Sequence, residues 1–312
     1  MWFFWFVGAI LIAASWLRVV DVSTGWIGFG LTVLASWVAR TGTGARELQE
    51  YSRPELRQLV ETVSDEIEAD ESNAAAWLSR GQVHFQLQEW ELSIFDFSKV
   101  IELTPEPSQA EMARTWSASA FQELERHDEA IAIVSPVIDS PAGGNDENLR
   151  FALEVRAGSL IGVEEFEESL EDCEQRIRIG NRTADVCLLQ GQALLGLKRY
   201  SEAMSVFEQV GRISPMLASG WHLQSDIKST CPDAAMRNGS QAVSLSERAC
   251  RLAGPDGWIC IAGLANAWAE CGDFDKAVHF AEKAFEAAPE NEKEQRRERI
   301  EQFRQGQPFR HP

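Results

Sequence analysis

Positive charge is scarce in this sequence: 29 Lys and Arg stand against 48 Asp and Glu in 312 residues, a formal charge of −19. A surface of that sign repels a phosphate backbone, which argues against nucleic acid as a partner. Histidine is scarce as well, with five, at His84, His127, His222, His279 and His311. None stands in H-E-x-x-H, and none has a Ser or Cys partner at a spacing known for nucleophilic catalysis. The six cysteines (Cys173, Cys187, Cys231, Cys250, Cys260 and Cys271) contain no C-x-x-C pair, so a zinc site has no support. There is no Walker A motif, and the glycines of GWIGFG at 25–30 follow no predicted strand, so no nucleotide loop is expected. Carboxylates are plentiful but scattered, which leaves no acid/base pair to assign. The expectation is a chain that is not an enzyme and holds no cofactor and no metal.

What is present suits a folded core. The chain is 45% hydrophobic and 25% charged, an ordinary globular balance. Its cysteines then read as buried thiols, packing as small hydrophobes.

Two N-terminal stretches carry no charge: 2–17, WFFWFVGAILIAASWL, and 25–38, GWIGFGLTVLASWV. Arg18 and Asp21 lie between them. One continuous helix would bury both charges near its middle, whereas two short helices with a polar turn avoid that cost. Trp2, Trp5 and Trp37 fall at one end of such a hairpin, and Trp16 and Trp26 at the other, forming two interfacial belts. The prediction for 1–39 is a transmembrane hairpin. Arg40, Arg46 and Arg53 follow it, so the positive-inside rule puts the rest of the chain in the cytoplasm, on an inner or cytoplasmic membrane. A secreted or periplasmic protein with a signal peptide is the weaker alternative, since no basic region precedes the apolar run. Residues 40–73 read as a linker and a leading helix over 54–69, opened by Pro54, with Leu56, Leu59, Val60, Val63 and Ile67 as its apolar stripe.

Beyond residue 73 the sequence repeats itself. Gly81, Phe97 and Pro105 are spaced by 16 and 8, Gly191, Phe207 and Pro215 repeat both spacings, and Ala265, Ala281 and Pro289 repeat them again. Such a pattern suits paired antiparallel helices of about 34 residues. A small residue on the first helix (Gly81, Ala118, Ala157, Gly191 or Ala265) lets the second approach closely. Ala130, Ala203, Ala242 and Ala277 serve the second helix. Trp77, Phe97, Phe121, Leu194, Phe207 and Trp268 fill the space between layers, and the prolines end the second helix. At these residues the chain resembles the tetratricopeptide-repeat family.

The resemblance implies an all-α fold, an α-α superhelix over 74–291, behind the transmembrane hairpin. Its units are 74–107, 111–144, 150–183, 184–217, 218–254 and 258–291; the fifth carries extra residues, STCPDAAMRNGS. Residues 292–312 form a charged capping helix and a short tail. The implied function is a non-catalytic scaffold that binds a partner protein or peptide in a concave groove. The alternative is an assembly or accessory subunit of a larger membrane-associated complex, working through its convex or lateral faces. In this register the groove shows Leu78, Gln82, Phe85, Trp116, Gln122, Val155, Leu188, Gln192, Leu195, Asp226, Asn266 and Glu270. Amides recur at Gln82, Gln192 and Asn266, and an amide can both donate to and accept from an extended backbone. Family members that grip chaperone C-terminal tails use Lys and Asn where this chain has Leu78 and Gln82, so such tails are disfavoured and an apolar or weakly basic peptide is preferred.

Overall fold

A computed structural model of the chain describes residues 51–140, 146–255 and 257–311. The expected transmembrane hairpin lies outside these residues. Among the described residues there are fourteen α-helices, one short 3-10 helix at Glu290–Glu292 and no strand. None of those helices is long and apolar enough to cross a membrane. The chain divides after Thr104 into two compact units.

The first unit holds α1 (Arg53–Ala69), α2 (Ala74–Gln86) and α3 (Trp90–Leu103). Helix α1 starts where Pro54 stands in the first turn and Glu55 accepts from the Ser52 N–H at 2.7 Å. It buries Leu56, Leu59, Val63 and Ile67, four of the five stripe residues, and Val60 is half-buried. The next two helices show why a small residue is needed. A Cβ on Gly81 would lie 2.7 Å from the ring of fully buried Phe97. Ser93 on α3 donates to the Gly81 carbonyl at 2.9 Å, which locks the crossing.

The second unit stacks α4 (Pro107–Glu123), α5 (His127–Ile138), α6 (Asp146–Gly162), α7 (Phe166–Arg178), α8 (Ala184–Gly196) and α9 (Tyr200–Ile213). After these come α10 (Ala218–Thr230), α11 (Gly239–Ala253), α12 (Trp258–Glu270), α13 (Phe274–Ala287) and α14 (Lys293–Arg304). The same steric logic recurs: Gly191 faces Phe207, and Ser169 donates to the Ala157 carbonyl at 2.9 Å. Helices α3, α9 and α13 stop ahead of Pro105, Pro215 and Pro289, where Thr104, Ser214 and Ala288 leave the helical region. Ile300 and Phe303 of α14 close the far end of the core against Ala265, Ala269, Ala277 and Ala281.

Within five of the pairs the turn between the helices has one geometry. Gln88, Glu125, Glu164 and Lys198 take positive φ of 57° to 64°, and Gly272 takes 77°. At each, the following N–H reaches back five residues, as in Arg199 N–H to Leu194 O at 2.8 Å and Asp273 N–H to Trp268 O at 3.1 Å. Between α10 and α11 the extra residues replace this turn, with Asn238 donating its N–H to the Lys228 carbonyl at 2.8 Å and capping α11 through its side chain. Asn238 and Thr183, both within N-x-S/T triplets, are thus helix caps.

One cysteine departs from expectation. Cys173, Cys187, Cys231 and Cys260 are buried and Cys250 is half-buried, but Cys271 is exposed at the end of α12, where the chain turns out of the core. Burial pushes the Cys173 thiol up to about 12 and Cys250 to about 11. Even Cys271 is raised, by partial burial and by neighbouring Glu270 and Asp273. None of the three is activated as a nucleophile.

Candidate partner-binding groove

In the second unit the first helices of successive pairs touch one another, α4 on α6 and α6 on α8, and likewise α10 on α12. Alongside α4, α6, α8 and α10 lies an open cavity of about 350 Å³. Gln122, Val155, Leu188 and Gln192, four of the expected groove residues, line it. Phe151, Glu154, Asp185 and Leu223 line it too and were not anticipated. Trp116 packs edge-on against Phe151, with ring centroids 5.3 Å apart. Leu195 packs against the core beneath α8 and α9. Gly158 is flush against Gln122, whose amide nitrogen would be 2.3 Å from any Cβ there.

The groove wall is acidic. Glu154 is pushed up by burial and by Asp185, while Arg176 and Arg150 pull it down. Its oxygen accepts from Arg176 Nε at 2.6 Å. Between α6 and α7 sits an ion pair that sequence reasoning missed. Arg156 on α6 meets Asp172 on α7 through two bonds of 2.7 and 2.6 Å. In the first unit Arg80 and Asp96 repeat it at 2.9 and 2.7 Å. Each pair sits one residue before the small-residue and large-residue positions, so the same 16-residue spacing marks it. Bidentate geometry of this kind fixes the angle between paired helices.

Of the expected residues in the first unit, Leu78 and Gln82 are buried and so are not presented on an open face. Among the described residues the Gln82 side-chain oxygen Oε1 has no hydrogen-bond partner. Phe85 is half-buried and packs edge-on to Trp90 at 4.9 Å. His84 is buried and binds Glu89 Oε2 through Nδ1 at 2.7 Å. The recurrent amides therefore differ in place: Gln82 is buried, Gln192 is exposed, and Asn266 accepts from Arg299 Nη1 at 3.4 Å.

Asp226, Asn266 and Glu270 lie on a separate stretch, over α10 and α12, and it is covered. The segment after α14, expected to be a plain tail, folds back onto Asp226 and Glu270, while Asn266 is met by Arg299 of α14. His311 Nε2 lies 2.7 Å from Asp226 Oδ2, and the His311 N–H donates to the Thr230 carbonyl at 3.1 Å. Arg310 pairs with Glu270 and donates to the Ser229 carbonyl at 3.0 Å. Glu270 also receives Arg237 Nε at 3.1 Å, from the loop inserted between α10 and α11. Phe309 lies under the Arg299 guanidinium, 3.1 Å from ring centroid to carbon. The hydrogen bond to Asp226 holds His311 above its ordinary value. Burial pushes Asp226 up, but His311, His222 and Thr230 outweigh it, and its carboxyl lies below the usual range. Burial holds His222 down.

Comparison with known proteins places the fold. Residues 184–215 match the tetratricopeptide-repeat family model. No protein of curated function matches the chain. A tetratricopeptide repeat protein from Parabacteroides merdae superposes with a TM-score of 0.63 at 12% identity, covering 90% of this chain and 100% of that one. The Cut9–Hcn1 hetero-tetramer of APC/C gives 0.65 at 12% identity, over 88% of this chain and 52% of that one. Pseudomonas aeruginosa pilF gives 0.54 at 16% identity, over 72% of this chain and 93% of that one.

Proposed function

We propose that this chain, whose helical array is of the tetratricopeptide-repeat kind, works as a non-catalytic scaffold that receives an extended segment of a partner protein in the groove along α4, α6 and α8. The open cavity carries this reading. It combines apolar floor residues (Phe151, Val155, Leu188 and Leu223) with amides at Gln122 and Gln192 and carboxylates at Glu154 and Asp185. Amides serve the backbone of an extended peptide, the apolar floor takes alternate side chains, and the carboxylates favour a peptide with basic groups. We further propose that residues 2–38 tether the array to a membrane, with the repeats on the cytoplasmic side. The two charge-free segments and their tryptophan belts support that part.

Proximity labelling with the full chain in its native membrane, compared with Leu188→Glu and Met216→Glu, tests the groove. Loss of one neighbour set in Leu188→Glu alone supports it; loss in Met216→Glu alone sinks it. A chain lacking residues 1–40 should leave the membrane fraction, and its retention there would refute the tether.

Met216, 78% exposed, and Ile213 form an apolar corner after α9. That corner supports a second reading, an accessory subunit of a larger assembly docking by its lateral face.

A further inference from the structure

The covered stretch of the second unit is built as a receptor. Helix α10 ends with carbonyls that its own ladder leaves without partners, and two of them, Ser229 and Thr230, accept from the returning tail. The Asp226 side chain is only 16% exposed and has His311 Nε2 2.7 Å from its carboxylate, so removal of that partner would leave a costly, poorly solvated charge. Glu270 holds two guanidinium groups, one from the inserted loop and one from the tail. Cations beside the C-terminus of α10 also suit the helix dipole. The floor therefore has three distinct demands: an aromatic ring on the Arg299 side, a guanidinium at Glu270 and an imidazole at Asp226.

The tail meets these demands without being part of the core. Ile300 and Phe303 of α14 already close the core, whereas Phe309, Arg310 and His311 are each only half-buried. Phe309 lies on the edge of that core cluster, while Arg310 and His311 bond to α10 and α12 through polar groups only, so their departure would leave Ile300 and Phe303 in place and Asp226 without its His311 partner.

We propose that Asp226, Glu270 and the Ser229 and Thr230 carbonyls form a binding site for an extended aromatic–Arg–His segment of a partner, and that Phe309–Arg310–His311 occupies this site in cis and competes with it. This rests on the reading that the groove receives extended peptide, and it adds the chemistry of the peptide and the element that guards the site. The open cavity reaches α10 at Ser219 and Leu223, and the guarded stretch begins at Asp226 on the same helix, but the two share no residue, so one can fail without the other.

The probe is a fluorescent peptide of sequence QPFRHP, titrated by anisotropy onto the full chain. Two tail variants open the site: the triple change Phe309→Ala, Arg310→Ala and His311→Ala, and the single charge reversal Arg310→Glu. Cis occupancy lowers apparent affinity by the open fraction, so both variants should bind at least about tenfold more tightly than the native chain. Adding Glu270→Gln to the triple variant should abolish the gain. The helical signal at 222 nm, measured on every variant, establishes that the array is folded. A folded triple variant that binds no better than the native chain, up to roughly 1 mM peptide, overturns the proposal, because that is the effective concentration a short tether supplies. Binding that survives Glu270→Gln also overturns it. Neither result touches the Leu188→Glu test of the open groove.

Discussion

Substituting Gly191→Ala decides whether close helix approach governs this array. In an exposed helix interior, Ala in place of Gly stabilises by about 1 kcal/mol. Here the new methyl would lie 2.2, 2.6 and 2.8 Å from three ring atoms of Phe207. Phe207 is fully buried, so its ring has no open side into which to swing. Overpacking of this kind costs about 1–3 kcal/mol, and it outweighs the propensity gain at all but its lower limit. The expected outcome is a net loss of roughly 1 kcal/mol, read as a lower urea midpoint at 222 nm. In a Phe207→Leu background the methyl finds room, so the same change becomes neutral or stabilising, a coupling of about 1–2 kcal/mol. A Gly191→Ala chain more stable than the native one by the full propensity gain would refute the steric reasoning.

Other outcomes follow from the same geometry. Arg156→Leu leaves Asp172, whose side chain is 4% exposed, as an unpaired buried charge, and should cost about 3–5 kcal/mol in urea unfolding; Arg156→Leu with Asp172→Leu should recover much of it. Gly272→Ala places a Cβ at φ 77° and should cost about 1 kcal/mol, while Lys198→Gly, at φ 57°, should gain part of that amount. Seating of the tail should depend on pH. His311 is raised when bound to Asp226, so its contribution is complete below the ordinary imidazole value and is lost as pH rises through the raised one. Asp226 is lowered, so its contribution is present above the ordinary carboxylate value and is lost as pH falls through the lowered one. Arg299, Arg310 and Glu270 also face this site; burial lowers Arg299 to about 10, and burial holds His222 down. Exchange protection of the His311 amide should therefore fall as pH rises above the ordinary imidazole value, and protection that rises instead contradicts the assignment.

Helix pairing was legible because its cause is steric and short-ranged. A bulky ring at Phe97 or Phe207 needs a missing side chain at Gly81 or Gly191, and prolines at 105, 215 and 289 halt the helix two residues earlier. The inner faces were legible in part: Gln122, Val155, Leu188 and Gln192 share one cavity, while Leu78 and Gln82 are buried. Register alone does not distinguish an inward-facing side chain from an open one. The left-handed turns were hidden because four of five use Gln, Glu or Lys, and tertiary packing holds them where glycine would ordinarily stand. The Arg–Asp clamps were visible in principle, as two acids 16 residues beyond two arginines, but charge on a helix usually reads as solvent-facing. The seated tail had no periodic signal. Only the match of Arg310 and His311 to Glu270 and Asp226 marks it, and that match needs three dimensions.

A photo-crosslinking side chain at position 192, in the full chain within its native membrane, tests the groove most directly, with position 216 as the comparison. The account predicts a discrete crosslinked partner segment, basic and extended, from position 192 and none from position 216. Crosslinks from 216 with none from 192 would contradict it.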